Sequence, residues 1–334
     1  MNVALWGRAL VTIQRVDKAG WERLDLVSRW LIASRASVLV ITVISVAIAG
    51  LLALRAGRFD PLLWVLTAVA LVLAHATNNL LNDLTDHVKG VDRNNYFRAV
   101  YGPHALEHHL LTVRGLIAYA AASGLVALTI GAYLVSVRGP LALALMAAGV
   151  FFVLFYTYPL KYVGLGELAV LLVWGPLMIG GTYFVVTGMW DWEVALVGLP
   201  YALGATTVIF GKHIDKLEDD RARGIHTLPV IIGERAARWI LGAMIVLMYA
   251  TVAYLAVIGF LTPVVLIVVL ALPRARTALA AYAKPRPRER PEHWPQLAWP
   301  LYFVRLAFVH NRRFGLLLLV GLAGDLIVRV IQNR

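Results

Sequence analysis

The sequence predicts an all-α, polytopic membrane protein that crosses the bilayer about nine times. Composition and pattern both carry that expectation. Of the 334 residues 60% are hydrophobic and only 15% charged, with a mean hydropathy of +0.75, whereas soluble domains carry about a quarter charged residues. Long charge-poor stretches recur along the chain. They are too long for strands and do not alternate with period two. At about 20 residues per crossing, a chain of this length holds roughly nine spans with short loops. Cysteine is absent, which excludes disulfide scaffolds, zinc–thiolate sites, iron–sulfur clusters and cysteine nucleophiles.

Residues 1–36 differ from everything after them. Arg8, Arg15, Lys18, Arg23, Arg29 and Arg35 are interleaved with Trp6, Leu10, Ile13, Trp21, Leu24, Val27 and Trp30. The mixture reads as an amphipathic arm of one or two helices lying on the membrane surface. It is not a cleavable signal peptide, because no short apolar core precedes a soluble domain. Charge-poor runs follow at 37–54, 62–82, 115–137, 140–160, 165–188, 194–211, 239–260, 262–272 and 315–331. The eighth is the shortest, interrupted early by Pro273 and Arg274. Residues 273–313 are basic and contain the proline-rich stretch AKPRPRERPEHWPQLAWP at 283–300, expected as a loop. Residues 37–334 are thus one transmembrane domain.

The net charge of +12 resembles a nucleic-acid signal until its distribution is considered. Alternate loops and the arm hold 26 of the 31 Lys and Arg residues, and only Arg55, Arg58, Arg138, Arg329 and Arg334 fall on the other side. The positive-inside bias places the N-terminus in the cytoplasm and the C-terminus outside, with a bacterial inner or plasma membrane as the expected location. The basic excess is then topology and contact with anionic lipid, not nucleic-acid binding.

The acids are more informative. Only Asp60, Asp191, Glu193 and Asp325 fall on the outer side, and two clusters stand at the basic face. One closes the second span, where Asn79, Asn82, Asp83 and Asp86 fall at i, i+3, i+4 and i+7 on one helical face, with Asp92 beyond. The other closes the sixth span and holds Asp215, Asp219 and Asp220. The four spans between equivalent points suggest two related four-helix units and an extra ninth helix. Like charges at helical spacing are costly, so a cation is expected to compensate. Magnesium suits such a site, since it takes one or two carboxylates, waters and substrate phosphate, and two facing carboxylate clusters would hold two or more such ions around a diphosphate. Lys89, Arg93, Arg98, Lys161 and Arg221 are at hand to complete the charge balance. No zinc helix or nucleotide-binding loop is present.

At these residues the chain resembles the UbiA-type intramembrane prenyltransferases, over nearly all its length apart from the arm and the proline-rich loop. The family's first motif is similar to Asn82-Asp83-x-x-Asp86 with further acid downstream; most members place it where this chain has Gly90, and here it is Asp92. That form resembles the menaquinone branch, which prenylates dihydroxynaphthoate. Arg98 to Gly102, Pro159 to Glu167 and Gly181 to Phe184 look like the same branch. The second motif departs. Anchoring on Asp220-Arg221 puts Lys216 where that branch has an acid; anchoring on spacing gives Asp215-x-x-x-Asp219, which keeps both carboxylates on one face of a continuous helix and is preferred here.

The resemblance implies a magnesium-dependent transfer of an isoprenyl group from a prenyl diphosphate to an aromatic acceptor within the lipid bilayer. Asn82, Asp83, Asp86, Asp92, Asp215, Asp219 and Asp220 form the implied metal set, with Asp86 and Asp215 central to catalysis. Asn79, Lys89, Arg98, Lys161 and Arg221 are implied around the diphosphate. Tyr156, Tyr158 and Trp174, with Phe155 and Tyr183, are candidate electron-rich walls for a carbocation. Six histidines, His87, His104, His108, His109, His213 and His226, lie on the same side without a spacing that singles one out. Competing readings are a terpene cyclase or a transferase to a non-quinone acceptor on the same fold, and a cation-coupled transporter. Transporter sites favour broken helices at the bilayer midplane, whereas these acids lie at span ends.

Overall fold

The computed structural model describes residues 2–93, 97 and 102–332, and all regular structure among them is helical. Three short helices form the arm: α1 (Val3–Val11), α2 (Lys18–Glu22) and α3 (Leu26–Ala33). Each starts on a side-chain cap, Asn2, Asp17 and Asp25 accepting from Leu5, Gly20 and Ser28 amides, as unsatisfied first-turn amides require. Their apolar side chains pack on the protein. Trp21 is buried with Ala105, Leu106 and Leu110, while Ala9, Leu31 and Ala36 close on Ala76. The arm is therefore docked on the bundle end.

Eight helices among the described residues are long and apolar enough to span a membrane. They are α4 (Ala36–Arg55), α5 (Pro61–Val88), α6 (Val113–Arg138), α8 (Gly166–Thr187), α9 (Trp192–Asp215), α12 (Glu234–Val257), α13 (Pro263–Tyr282) and α14 (Phe303–Gln332). The remaining expected span, 140–160, is α7 (Pro140–Phe155), shorter at 16 residues. The small helices α10 (Leu217–Ala222) and α11 (Leu228–Ile232) join α9 to α12. Pro273 does not end the eighth span. The chain runs as 3₁₀-helix over Pro263–Ala271 and continues as α-helix to Tyr282, with Pro273 in the first turn where its missing N–H costs nothing. The proline-rich connection thus shortens to 283–302.

The arrangement is set by small residues and by two buried carboxylates. Helix α9 packs on α8, α12 and α14, around Ile179, Tyr201, Leu241, Met248 and Phe314, all essentially fully buried. Glycines permit the close crossings: a Cβ at Gly211 would lie 2.9 Å from the Phe303 carbonyl carbon, and one at Gly315 would meet the Tyr201 ring. Small residues at helix contacts are how spans approach when lipid offers no hydrophobic driving force. At one end of α14, Asp325 accepts from the Thr262 amide at 2.6 Å and faces Arg55 at 3.4 Å. At the other end, Asp215 accepts from the amides of Tyr302, Phe303 and Val304 at 2.9–3.0 Å and pairs with Arg286 at 3.2 Å.

Asp215 therefore departs from the metal and catalytic role expected of it. Its side chain is fully buried and its oxygens are engaged in starting α14. Replacing it by alanine leaves three amides and Arg286 without their acceptor at a buried helix start. We expect Asp215→Ala to cost about 3–5 kcal/mol of stability, read as a fall in the unfolding midpoint in detergent whether or not magnesium is present. An unchanged midpoint contradicts this role.

Candidate active site

A cavity of about 740 Å³ runs between α4, α5, α6, α7, α8, α9 and α14. On α5 its lining extends from Thr67 to Asn82, a depth of about 22 Å at 1.5 Å per residue. Most of the wall is apolar: Leu71, Leu128, Leu134, Leu145, Met146 and Val185 are typical. Part of it comes from a π-helical stretch, Val173–Gly180, in α8. Pro176 lies inside that stretch and has no N–H to give, so the ladder is re-registered there. Polar residues collect at one end, where Arg35, Asn78, Asn79, Asn82, Lys212 and Arg305 line the space.

The buried charged groups at the polar end and behind it come from four pieces of chain. The last turns of α5 project Asn79, Asn82, Asp83 and Asp86 from one face, all buried, as their spacing requires. The turn before α4 supplies Arg35, whose left-handed backbone (φ 58°) is a strained conformation for a residue with a Cβ. Its guanidinium reaches the Asn79 carbonyl at 2.8 Å and Asp83 at 3.0 Å. The 160–163 turn supplies Lys161, whose ammonium donates to both oxygens of Asp86 at 2.7 and 3.0 Å. Helix α10 supplies Asp220, buried and paired with Lys216 at 3.6 Å. Burial, with the charges of Asp86, Asp220 and Asp92, holds the Tyr162 hydroxyl above its ordinary range, so both acidic motifs act on that ring.

Asp92 stands behind this group. His104 accepts the Leu106 amide on Nδ1, which leaves Nε2 to donate to Asp92 at 2.9 Å. Two other histidines are held similarly: His87 by Glu107 and His213 by buried Glu167, each at 2.5 Å. Asn82 donates its amide to Thr157 Oγ1 at 3.0 Å. Asn79 donates to the Ser34 carbonyl at 2.9 Å, fixing the turn that carries Arg35.

The remaining expected residues lie elsewhere or do something else. Asp215 and Asp219 do not share a helical face, because α9 ends at Asp215 and α10 begins at Leu217, with Lys216 outside both. Asp219 is 44% exposed and faces Arg223; Arg221 is 53% exposed and faces Glu218. Lys89 sits over the Tyr158 ring at 3.8 Å, and Tyr158 is half exposed. Tyr156 and Trp174 do line the cavity, whereas Phe155, Tyr158 and Tyr183 do not. Arg98 lies outside the described residues. Arg35, His75, Phe152, Lys212 and Phe308 line the cavity without having been singled out from sequence. Arg35 was hidden among the charges of the arm, and its αL turn leaves no mark in spacing.

Among the described residues no three carboxylate or imidazole groups converge to cage a metal. Asn82 and Asp86 share one buried face of α5, a donor pair that an ion of the magnesium kind would accept, since it takes one or two carboxylates and completes its shell with water and phosphate.

Comparison with known proteins accords with this geometry. The sequence profile of the UbiA prenyltransferase family matches residues 43–308, which span both acidic motifs. The UbiA prenyltransferase domain-containing protein 1 of Danio rerio is 27% identical over 239 residues, 70% of each chain. The Drosophila melanogaster homolog is 29% identical over 196 residues, 57% of this chain; the match spans only 53% of the fly protein's length. Among solved structures, the apo UbiA homolog from Aeropyrum pernix K1 superposes with TM-score 0.61 at 19% identity, covering 86% of this chain and 98% of that one. A UbiA homolog from Archaeoglobus fulgidus bound to GPP and Mg2+ gives 0.55 at 14%, covering 86% and 99%. With the profile enclosing both motifs and the helices around the cavity, the chain belongs to the UbiA prenyltransferase family.

Proposed function

We propose that this protein is a magnesium-dependent intramembrane prenyltransferase. It moves an isoprenyl group from a prenyl diphosphate to an aromatic acceptor, of the naphthoate type used in quinone biosynthesis. The single observation that carries the reading is the cavity: a deep apolar chamber with charged groups at one end, the shape and polarity of a prenyl diphosphate. The Archaeoglobus fulgidus homolog, which binds GPP with Mg2+, supports the same ligand class. The first-motif resemblance supports the acceptor class. The basic face, where Lys and Arg concentrate, is assigned to the cytoplasm, with the N-terminus there and the C-terminus outside.

In this reading the tail lies along the apolar wall between α5, α6 and α7, and the head rests at Asn82, Arg35 and Lys212. Asn82 and Asp86 would hold magnesium, which when bound would offset charge developing on the leaving diphosphate. Lys161 holds Asp86 in place and offers an ammonium to phosphate oxygens. Arg35 keeps Asp83 neutralised while contributing positive potential at the cavity wall. As the C–O bond to the diphosphate breaks, Tyr156 and Trp174 face the allylic carbon chain with electron-rich rings. The acceptor carbon attacks, and its proton leaves to restore aromaticity.

Two outcomes test this. Purified protein in detergent, given geranylgeranyl diphosphate and dihydroxynaphthoate, should form a prenylated naphthoquinol with magnesium and none with EDTA. Asp86→Asn, which leaves an acceptor oxygen for Lys161, should lower turnover by roughly a hundredfold or more, as loss of an electrostatic stabiliser does, in protein that still unfolds cooperatively. Near-normal turnover in that variant rules out the assignment of Asp86. Separately, Ala127→Trp fills the chamber wall part-way along its length. It should shift kcat/KM in favour of shorter prenyl diphosphates by about tenfold or more, the discrimination a pocket-size change supplies; unchanged chain-length preference places the tail elsewhere.

A further inference from the structure

The second acidic motif carries two lysines beside the polar end of the cavity, and one of them, Lys212, is in its lining. Lys212 lies within electrostatic reach of Arg35, Lys216, Lys161 and Asp86. Lys216 sits at the break between α9 and α10, only 11% exposed, beside buried Asp220. The two acids that could have supplied further metal ligands are engaged elsewhere: Asp215 starts α14 and Asp219 faces outward. The carboxylates that remain each have a fixed cationic or imidazole partner. Asp83 has Arg35, Asp86 has Lys161, Asp92 has His104 and Asp220 has Lys216.

This rim is close to neutral before any ion binds. A divalent ion between Asn82 and Asp86 still finds oxygen donors on α5. A second one on the α9–α10 side would have to settle beside the ammonium groups of Lys212 and Lys216, at most with Asp220 as its carboxylate. Like charges repel most strongly where the surroundings are apolar. The same ammonium groups are well suited to phosphate oxygens, to which lysine binds as a compact charge.

We propose that Lys212 and Lys216 bind the leaving diphosphate directly and take the part of a second divalent ion, so that the site works with one metal, held on the α5 side. The proposal rests on the prenyl diphosphate reading of the cavity. On departure, the bond from prenyl carbon to oxygen breaks with its electron pair passing to the diphosphate. The two ammonium groups and the single ion stabilise that charge.

The experiment is calorimetric titration of the full-length protein in detergent with inorganic pyrophosphate, first in EDTA and then with magnesium. Geranylgeranyl diphosphate binding in magnesium is followed in parallel. Wild-type protein should bind pyrophosphate in EDTA. Lys212→Met and Lys216→Met should each weaken that binding about tenfold or more, in line with loss of a hydrogen bond to a charged group, while Lys216→Arg retains it. Magnesium titrated into the pyrophosphate complex should bind at one ion per chain. If Lys216→Met lowers the unfolding midpoint by stranding Asp220, the Lys216→Met and Asp220→Asn double substitution replaces it. No pyrophosphate binding in EDTA, unchanged affinity in both methionine variants, or two ions per chain overturns the proposal. Any of these results alongside intact geranylgeranyl diphosphate binding leaves the prenyl diphosphate reading standing. Absence of geranylgeranyl diphosphate binding under every condition removes that reading and the proposal with it.

Discussion

Charge at the mouth of an apolar chamber has to be neutralised by nearby charge, and the polar end of this protein is organised around that constraint. Water cannot screen groups that are more than nine-tenths buried, as Asp83, Asp86, Asp92 and Asp220 are. Each is met by a cation or an imidazole, for Asp83, Asp86 and Asp92 from a different piece of chain and for Asp220 from Lys216 one turn back. Removing one partner of a buried pair leaves an uncompensated charge, which costs several kcal/mol. The pairs therefore act as fasteners. They tie the start of α4 to the end of α5, the end of α5 to the 160–163 turn, and the segment after α5 to His104.

The arm takes part in the same construction. Asn79 on α5 donates to the Ser34 carbonyl, and the next residue, Arg35, adopts a left-handed turn that sends its side chain to Asp83. Val11, Thr12 and Ile13 line the cavity near this turn. A Cβ at Gly102 would collide with the Ile13 side chain at 2.5 Å, so the arm and the segment after residue 101 are in close contact. Burial of Trp21 among Ala105, Leu106 and Leu110 holds the arm there. A segment that sequence alone assigns to the membrane surface is thereby part of the wall around the polar end.

The packing of α9 and α14 obeys a simpler rule. Their contacts are made by small residues, with Gly211 and Gly315 allowing α9 and α14 to touch. The ends of α14 are joined to neighbouring loops by Asp215 and Asp325. A buried carboxylate that accepts backbone amides is a fixed part of the scaffold, since protonating or removing it strands those amides. Asp215 thus serves the site indirectly, by fixing where α14 begins.

Much of this protein is determined by sequence alone. Hydrophobic length gives the spans, because each crossing must bury its own backbone hydrogen bonds in a helix. The face shared by Asn79, Asn82, Asp83 and Asp86 follows from helical periodicity, since α5 continues unbroken to Val88. The second motif escapes the same reasoning: pairing Asp215 with Asp219 assumes a continuous helix, and the chain breaks at Lys216. That break re-aims every side chain after it, so Asp220 turns inward and Asp219 outward. Arg35 and Lys212 reach the cavity through a left-handed turn and through the packing of α9. Local periodicity reports direction only within one element; which groups meet across elements is decided by how the helices pack and by the charges that burial obliges them to share.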